Sequence, residues 1–299
     1  MTPAVSDLVV ERNAAIHTWF GVGGGADALI RPVGASEIRA AMREFDGATV
    51  RVLGDGANLL VDDGGVDGLV IATERMTDIR WPAEPLGRLV YADAGASLQR
   101  LVVESVRRGL AGLEGLGGVP ASLGGAVRMN AGGAFGQMSD VVERVFALTR
   151  RGEPVELTRE QIDFDYRESG LQSLIITGAE LRLSPDDPAR LRDRLKEVMS
   201  AKKASQPLGA DSAGCAFRNP TVEGMRVSAG RLIDEAGCKG MRIGRAIVSD
   251  VHANFIVAEA GARARDVLSL MKRVVDRVHD HCGVALVREV VVWKRGESS

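Results

Sequence analysis

Apolar residues recur along this chain with two periods, and the alternation between them predicts a mixed α+β protein. Helical spacing first shows at Ile38, Ala41, Met42 and Phe45, which predicts a helix over 37–46 with Ser36 as its cap. The same spacing recurs at Leu98, Leu101, Val102 and Val106, behind Ser97 and ahead of Gly109. Asp187-Pro188 opens a further helix through about Lys203, with aspartate as cap and proline in the first turn. Residues 228–236 read as a short helix closed by Gly237. Over 264–282, Val267, Leu270, Met271, Val274, Val275 and Val278 share one helical face, and Gly283 is the stop.

Between these helices, short apolar runs predict strands at 28–31, 51–53, 59–61, 68–71, 89–95, 141–148, 154–157, 173–178, 246–249, 253–257 and 287–293. Trp81-Pro82-Ala83-Glu84-Pro85 reads as a boundary between subdomains.

Two stretches interrupt the pattern. In 112–140, glycines stand at 112, 115, 117, 118, 124, 125, 132, 133 and 136 with hardly any charge between them. Glycine persists in such numbers where backbone must adopt positive φ or approach something a Cβ would obstruct, and a large ligand is one such object. Gly117, Gly118, Gly124 and Gly125 bracket Val119-Pro120-Ala121-Ser122, and peptide N–H groups of such turns form anion-binding nests. Ser122 adds a hydroxyl, and Asn130-Ala131-Gly132 adds a side-chain amide able to bond a ring edge. In the second stretch, Gly54-Asp55-Gly56-Ala57-Asn58-Leu59 joins two strands and offers four backbone amides to a phosphate. Taken singly, the first stretch is equally a surface loop, and the second is more simply a hairpin turn. Together in one framework they favour a ligand. Neither is the G-x-G-x-x-G dinucleotide fingerprint, because no helix follows 54–58 and no acidic residue ends a second strand at the required distance.

Composition narrows the function. A length of 299 residues implies two or three domains, and 45% apolar with 26% charged residues is ordinary for a globular protein. A net charge of −2 and 4% aromatic residues leave no electrostatic footprint or stacking platform for nucleic acid. Cys215, Cys238 and Cys282 are odd in number and form no C-x-x-C pair, which argues against disulfides and a zinc ribbon and for a reducing compartment. His279 and His281 face apart on their helix, so no metal site is expected. The N-terminal residues lack a signal-peptide pattern and no apolar run reaches membrane-spanning length; a cytoplasmic protein with no membrane partner is expected.

From His17 to Arg295 the chain resembles the UDP-N-acetylenolpyruvoylglucosamine reductases, flavoenzymes of peptidoglycan precursor synthesis. The resemblance rests on H-T-W-F-G-V-G-G at 17–24, L-G-D-G-A-N-L-L-V at 53–61 and G-G-V-P-A-S-L-G-G-A-V-R-M-N-A-G at 117–132. It continues in Y-R-E-S at 166–169, S-A-G-C-A-F-R-N-P at 212–220, A-G-R-L-I-D-E-A-G at 229–237, H-A-N-F-I-V at 252–257 and E-V at 289–290. It implies an α+β fold: a two-subdomain FAD-binding unit of the PCMH/VAO-like type plus a C-terminal α/β substrate-binding domain. The expected division is 1–80, joined by a C-terminal strand in 286–299, then 81–203, then 204–285. It implies non-covalent FAD, NADPH as co-substrate, UDP-N-acetylglucosamine enolpyruvate as substrate and a monomer. The lack of histidine beside 54–58 agrees with non-covalent flavin.

By this resemblance Arg167 polarises the enolpyruvyl carboxylate, where charge develops as the alkene is reduced. Glu289 holds or protonates that carboxylate or orients its neighbours. Tyr166, Arg218 and Asn219 contact substrate, with Lys203 or Gln206 as further candidates. Family members usually carry serine at the position of Cys215, as the acid that protonates the intermediate enol. A thiol is the stronger acid and is mostly protonated at neutral pH, so the role is open to it. Ala57 replaces a usual serine in the phosphate turn, and Arg218 a lysine. The short segment between Arg167 and Asp187 implies the type lacking a tyrosine-bearing loop. Cys215 also keeps open a catalytically altered paralogue, and another flavin oxidoreductase of the same fold is the remaining alternative.

Overall fold

The structure is a computed structural model that describes residues 8–83, 88–207 and 209–297. Its helices are α1 (Ala35–Glu44), α2 (Leu98–Arg107), α3 (Leu123–Arg128), α4 (Pro188–Ser205), α5 (Ala229–Glu235) and α6 (Ala264–Cys282). Contacts divide the chain into two compact units. The first takes in the described residues up to Arg12, then Ala28–Asp55 and Gly68–Lys202; the second takes in Asn13–Asp27, Gly56–Asp67 and the chain from Lys203 onward.

This division differs from the three parts expected. The strand Leu59–Val61 lies parallel to Val291–Trp293, Leu59 opposite Val291 and Val61 opposite Trp293. Phe20 and Leu60 are buried in the core built mainly by C-terminal residues. Residues 56–67 therefore follow the last strand into the second unit. Residues 28–55 share a unit with 81–202 because Leu148 and Ile175 are buried with Ala28, Ile30, Ile38, Leu69 and Ile71. Of the expected boundary at 81–85, Glu84 and Pro85 lie outside the described residues.

The first unit has two apolar cores. One lies between α1 and a four-stranded sheet ordered Val10–Ala14, Ala26–Ile30, Val66–Ala72, Val50–Leu53, the last two parallel. Ser36 does not cap α1: the helix begins at Ala35 on an extended Gly34, and the N–H of Val33 is taken by the Glu37 carboxylate at 2.8 Å. The other core lies under an antiparallel five-stranded sheet ordered Pro154–Thr158, Val142–Leu148, Ile175–Arg182, Leu89–Asp93, Ile79–Arg80. Val90, Ala92, Val145, Ala179 and Leu181 alternate inward there against α2 and α3. Ser97 caps α2 by accepting from the Arg100 N–H, as the spacing predicts. Asp187 accepts from the Ala189 N–H at the start of α4.

The second unit packs α5 and α6 on an antiparallel sheet of Arg242–Ile243, Ala246–Val248 and Ile256–Ala258. Val267, Leu270, Met271, Val274 and Val278 are buried on α6, and Gly283 ends it at φ 72°. Two adjacent N–H groups at the start of α6, of Ala264 and Arg265, donate to the Asp63 carboxylate at 2.9 and 3.1 Å. The last strand is shorter than expected, Val291–Trp293, and the residues before it pair elsewhere.

Candidate active site residues

In the first unit the two glycine-rich stretches meet at Gly54 and Ser122. A Cβ on Gly54 would stand 2.3 Å from Ser122 Oγ, so only glycine fits against that hydroxyl. The stretch after Pro120 is not a second turn but the N-terminus of α3, where Ser122 accepts from the Gly125 N–H at 3.3 Å. The Leu123 and Gly124 N–H groups donate to the carbonyls of Ala96 and Ala94 at 2.8 and 2.7 Å. Among the described residues no protein acceptor takes the N–H of Gly54, Gly118, Ala121 or Ser122. These are the amides left for a ligand.

Several glycines answer to internal packing instead. A Cβ on Gly117 would stand 2.4 Å from Leu195 Cδ1, one on Gly124 3.0 Å from that of Ala94, and one on Gly132 2.4 Å from that of Gln137. Their cradles are filled by protein. Ala131 bonds Ala126 and Met138 through both backbone groups. Asn130, buried at φ 40°, donates from Nδ2 to the Asp165 carbonyl at 3.1 Å and accepts at Oδ1 from the Ser139 N–H at 2.9 Å. Its amide ties two loops together rather than presenting an open edge to a ring.

Those ties lead to Arg167. Asp165 and Glu168 exchange backbone hydrogen bonds at 3.0 and 3.2 Å, closing a turn whose centre is Tyr166 and Arg167. Arg167 sits at φ 61°, a left-handed conformation that L-residues other than Gly, Asn and Asp avoid. Its guanidinium lies 5.2 Å from the Tyr166 ring centroid and donates to the Gly132 carbonyl at 2.8 Å. A second cation stands near: Lys202 Nζ donates to the Gly117 carbonyl at 2.5 Å. Desolvation, and then repulsion by Arg167, lower the Lys202 pKa to about 8. Sequence reasoning passed over Lys202 for its exposed neighbour Lys203. The signal was there, since Lys202 continues the inward stripe of Leu191, Leu195 and Val198 on α4.

In the second unit the segment around Cys215 is held on both sides. Cys215 pairs with Phe255 and Phe217 with Arg288 as isolated bridges. The Ala216 N–H donates to the Asn254 carbonyl at 2.7 Å, and the Ala216 carbonyl accepts the Glu289 N–H at 2.9 Å. The segments that carry Cys215 and Glu289, 74 positions apart in sequence, are thus joined through backbone, and both residues are half-buried. The buried Asn254 side chain accepts from the Phe217 N–H at 2.9 Å and donates to the Phe217 carbonyl at 2.8 Å. Asn58 Nδ2 donates to the Glu289 carbonyl at 3.1 Å, and the Asn58 carbonyl accepts from Val291 at 3.1 Å. Leu59 follows as a buried strand residue.

Of the other expected contacts, Asn219 Oδ1 accepts from the Ala229 N–H at 2.9 Å at the start of α5, and Arg218 is half-buried with its N–H on the Val287 carbonyl at 2.8 Å. Gly56 has φ 66°, and a Cβ there would meet the His17 carbonyl at 2.6 Å. The Gly56 and Ala57 N–H groups have no protein acceptor among the described residues, while Asp55 is exposed. Gly56 is itself buried. Unmatched donors in glycine-rich backbone, one of them buried, fit the pyrophosphate that the sequence resemblance implies. Among the described residues no group of three or more His, Cys, Asp or Glu is arranged to hold a metal.

Comparison with known proteins follows the same division of labour. Residues 26–158 match the family described as FAD binding domain, and residues 206–293 match UDP-N-acetylenolpyruvoylglucosamine reductase, C-terminal domain. The chain is 38% identical over 279 residues to the UDP-N-acetylenolpyruvoylglucosamine reductase of Syntrophus aciditrophicus, covering 92% of this chain and 88% of the relative. It is 40% identical over 294 residues to that of Syntrophobacter fumaroxidans, covering 95% and 83%. The crystal structure of UDP-N-acetylenolpyruvylglucosamine reductase (MurB) from Thermus caldophilus is similar with a TM-score of 0.81 and 41% identity, covering 96% of this chain and all of that one.

Proposed function

We propose that this chain, which belongs to the UDP-N-acetylenolpyruvoylglucosamine reductase family, reduces UDP-N-acetylglucosamine enolpyruvate to UDP-N-acetylmuramate. It is an FAD-dependent oxidoreductase with NADPH as electron donor, and it serves peptidoglycan precursor synthesis and through it cell shape and division. The observation that carries the reading is identity of 38% over 92% of the chain, a share that reaches into both compact units. Its nucleotide substrates, together with the absence of any helix long and apolar enough to cross a membrane among the described residues, support a cytoplasmic enzyme; we take it to act as a monomer.

FAD, held without a covalent bond, supplies two-electron transfer between NADPH and the alkene. In the first unit the unmatched amides of Gly54, Gly118, Ala121 and Ser122, with Asp55, would hold its pyrophosphate, and in the second unit those of Gly56 and Ala57, with Asn58 and Leu59, are candidates for the same role. Arg167 holds the substrate carboxylate, and its charge stabilises the enolate that forms there. Lys202 adds positive charge on the same side. Cys215 Sγ–H donates the proton to the enol carbon, and Glu289, whose N–H is held by the Ala216 carbonyl, orients the carboxylate. Tyr166 supports the Arg167 guanidinium, and Arg218 and Asn219 meet the nucleotide sugar. The strand Ile175–Arg182 follows closely on the Arg167 turn, which supports the type without a tyrosine loop.

The test is spectroscopic. The purified protein takes up FAD, NADPH bleaches the flavin absorbance, and the enolpyruvyl nucleotide restores it. A preparation that binds FAD but never reoxidises on the nucleotide is the altered paralogue, and one that takes up no FAD ends both readings.

A further inference from the structure

Away from these residues, two arginines of the first unit converge on one carbonyl. Arg128 Nη1 and Arg150 Nη2 both donate to the Gln172 carbonyl, at 3.1 and 3.3 Å, so their guanidinium groups stand within a few ångströms of each other. Arg150 Nη1 also donates to the Val50 carbonyl at 2.6 Å. Among the described residues neither forms an ion pair with a carboxylate. Elsewhere in the chain arginines sit against acids: Arg31, Arg80, Arg182, Arg242 and Arg295 have their pKa raised by Glu or Asp partners. Arg128 and Arg150 are lowered, both chiefly by desolvation and Arg128 also by Arg150, although Arg150 as a whole residue is exposed. Two like charges held together by a single neutral oxygen lack their counter-ion. Most of their N–H donors are uncommitted.

We propose that Arg128 and Arg150 form a phosphate site, separate from the flavin cradle, that takes inorganic phosphate or the phosphate group of a small metabolite. Two planar forks present more donors than one carboxylate has oxygens to accept, whereas a phosphate dianion matches both forks at once. The exposed hairpin that carries Arg150, between Val142–Leu148 and Pro154–Thr158, leaves the site open to solvent.

The site is linked to the cradle through two short rigid elements. The strand Val50–Leu53 begins at the carbonyl that Arg150 holds and ends at Gly54. Helix α3 begins at Ser122, against Gly54, and ends at Arg128. Filling the arginine pair relieves the repulsion at one end of both elements and steadies the other end, so phosphate and FAD bind with positive coupling. This second step rests on the reading of Gly54 and Ser122 as flavin ligands; the phosphate site does not.

Titration of the protein with inorganic phosphate and with glycerol phosphate, followed by calorimetry and phosphorus NMR at constant ionic strength, tests both steps. With and without FAD, wild type is expected to bind phosphate saturably. Arg150→Gln and Arg128→Gln weaken it at least tenfold, and Arg150→Lys recovers part of the loss. Tighter binding of glycerol phosphate than of phosphate identifies a metabolite as the ligand, and the reverse identifies the free ion. Saturating phosphate is expected to tighten FAD binding two- to tenfold in wild type and not in Arg150→Gln. Equal binding by wild type and Arg150→Gln, or the same response to chloride, overturns the site. Displacement of phosphate by FAD overturns its separateness, since the pair would then hold the flavin's own pyrophosphate. Phosphate binding that leaves FAD affinity unchanged overturns the coupling alone. Because Arg150 lies on an exposed hairpin, the Arg150 variants decide the matter even where Arg128→Gln does not fold.

Discussion

The main-chain N–H of Glu289 donates to the carbonyl of Ala216 at 2.9 Å, and this one bond sets the Glu289 backbone against the segment that carries Cys215. Two candidate catalytic residues thereby come from segments that share no local sequence. Backbone pairing, rather than side-chain reach, aligns them.

The thiol is therefore expected to matter only after the flavin has been reduced. Cys215→Ala should lower turnover by about 10²- to 10⁴-fold, the usual worth of a positioned general acid, while bleaching by NADPH proceeds at the wild-type rate. Cys215→Ser should recover most of the loss. Stopped-flow measurement of the two half-reactions separates them, and unchanged reoxidation in Cys215→Ala removes the thiol from the chemistry.

Asn254 holds the segment that carries Cys215. Replacing it by alanine strands the buried N–H and carbonyl of Phe217, each costing about 1–3 kcal/mol. Urea unfolding should report a loss of about 2–6 kcal/mol for Asn254→Ala. A loss below half a kcal/mol would mean that water replaces both bonds.

Arg167 combines a functional side chain with an unfavourable backbone. Arg167→Ala and Arg167→Gly should both abolish most turnover, but glycine accepts φ 61° without the Cβ penalty. The glycine variant should therefore be more stable than the alanine variant by about 1 kcal/mol. Thermal unfolding of the pair checks this, and equal stability would show that the turn relaxes.

For Lys202 the sign follows from its pKa of about 8 in the folded chain, below the ordinary lysine value of 10.5. The group is charged at pH 7 and loses its proton as pH rises through 8, so its attraction for an anionic substrate fades there. KM should rise between pH 7 and pH 9 in wild type and stay flat in Lys202→Met. Stability runs the other way: the unfolded chain binds more protons between about 8 and 10.5, so folding is favoured as pH rises through that window. A wild-type KM independent of pH would place Lys202 outside the binding step.

The long helices and their stops were legible because their signals are local. Ser97 and Asp187 accept N–H groups at the starts of α2 and α4, and Gly283 closes α6 in the left-handed conformation its position implies. Ser36 misled because an acceptor was already present in Glu37, and α1 begins two residues earlier. Helix α3 was invisible for a different reason. Six residues with two glycines have no helical propensity worth reading, and the helix exists because Ser122 caps it and the carbonyls of Ala94 and Ala96 take its first N–H groups.

By itself the chain of residues determined the longer helices and most strands, and which family motifs stand at 54–58, 117–132, 166–169 and 212–220. All of these depend on side-chain identity and on neighbours within a few positions. Only the tertiary structure decided that 56–67 travel with the last strand, that Lys202 rather than Lys203 turns inward, that Asn130 and Asn219 are tied to the protein's own backbone, and that Arg128 meets Arg150. Each of those depends on which distant groups close a loop together, and loop closure leaves no period in the sequence.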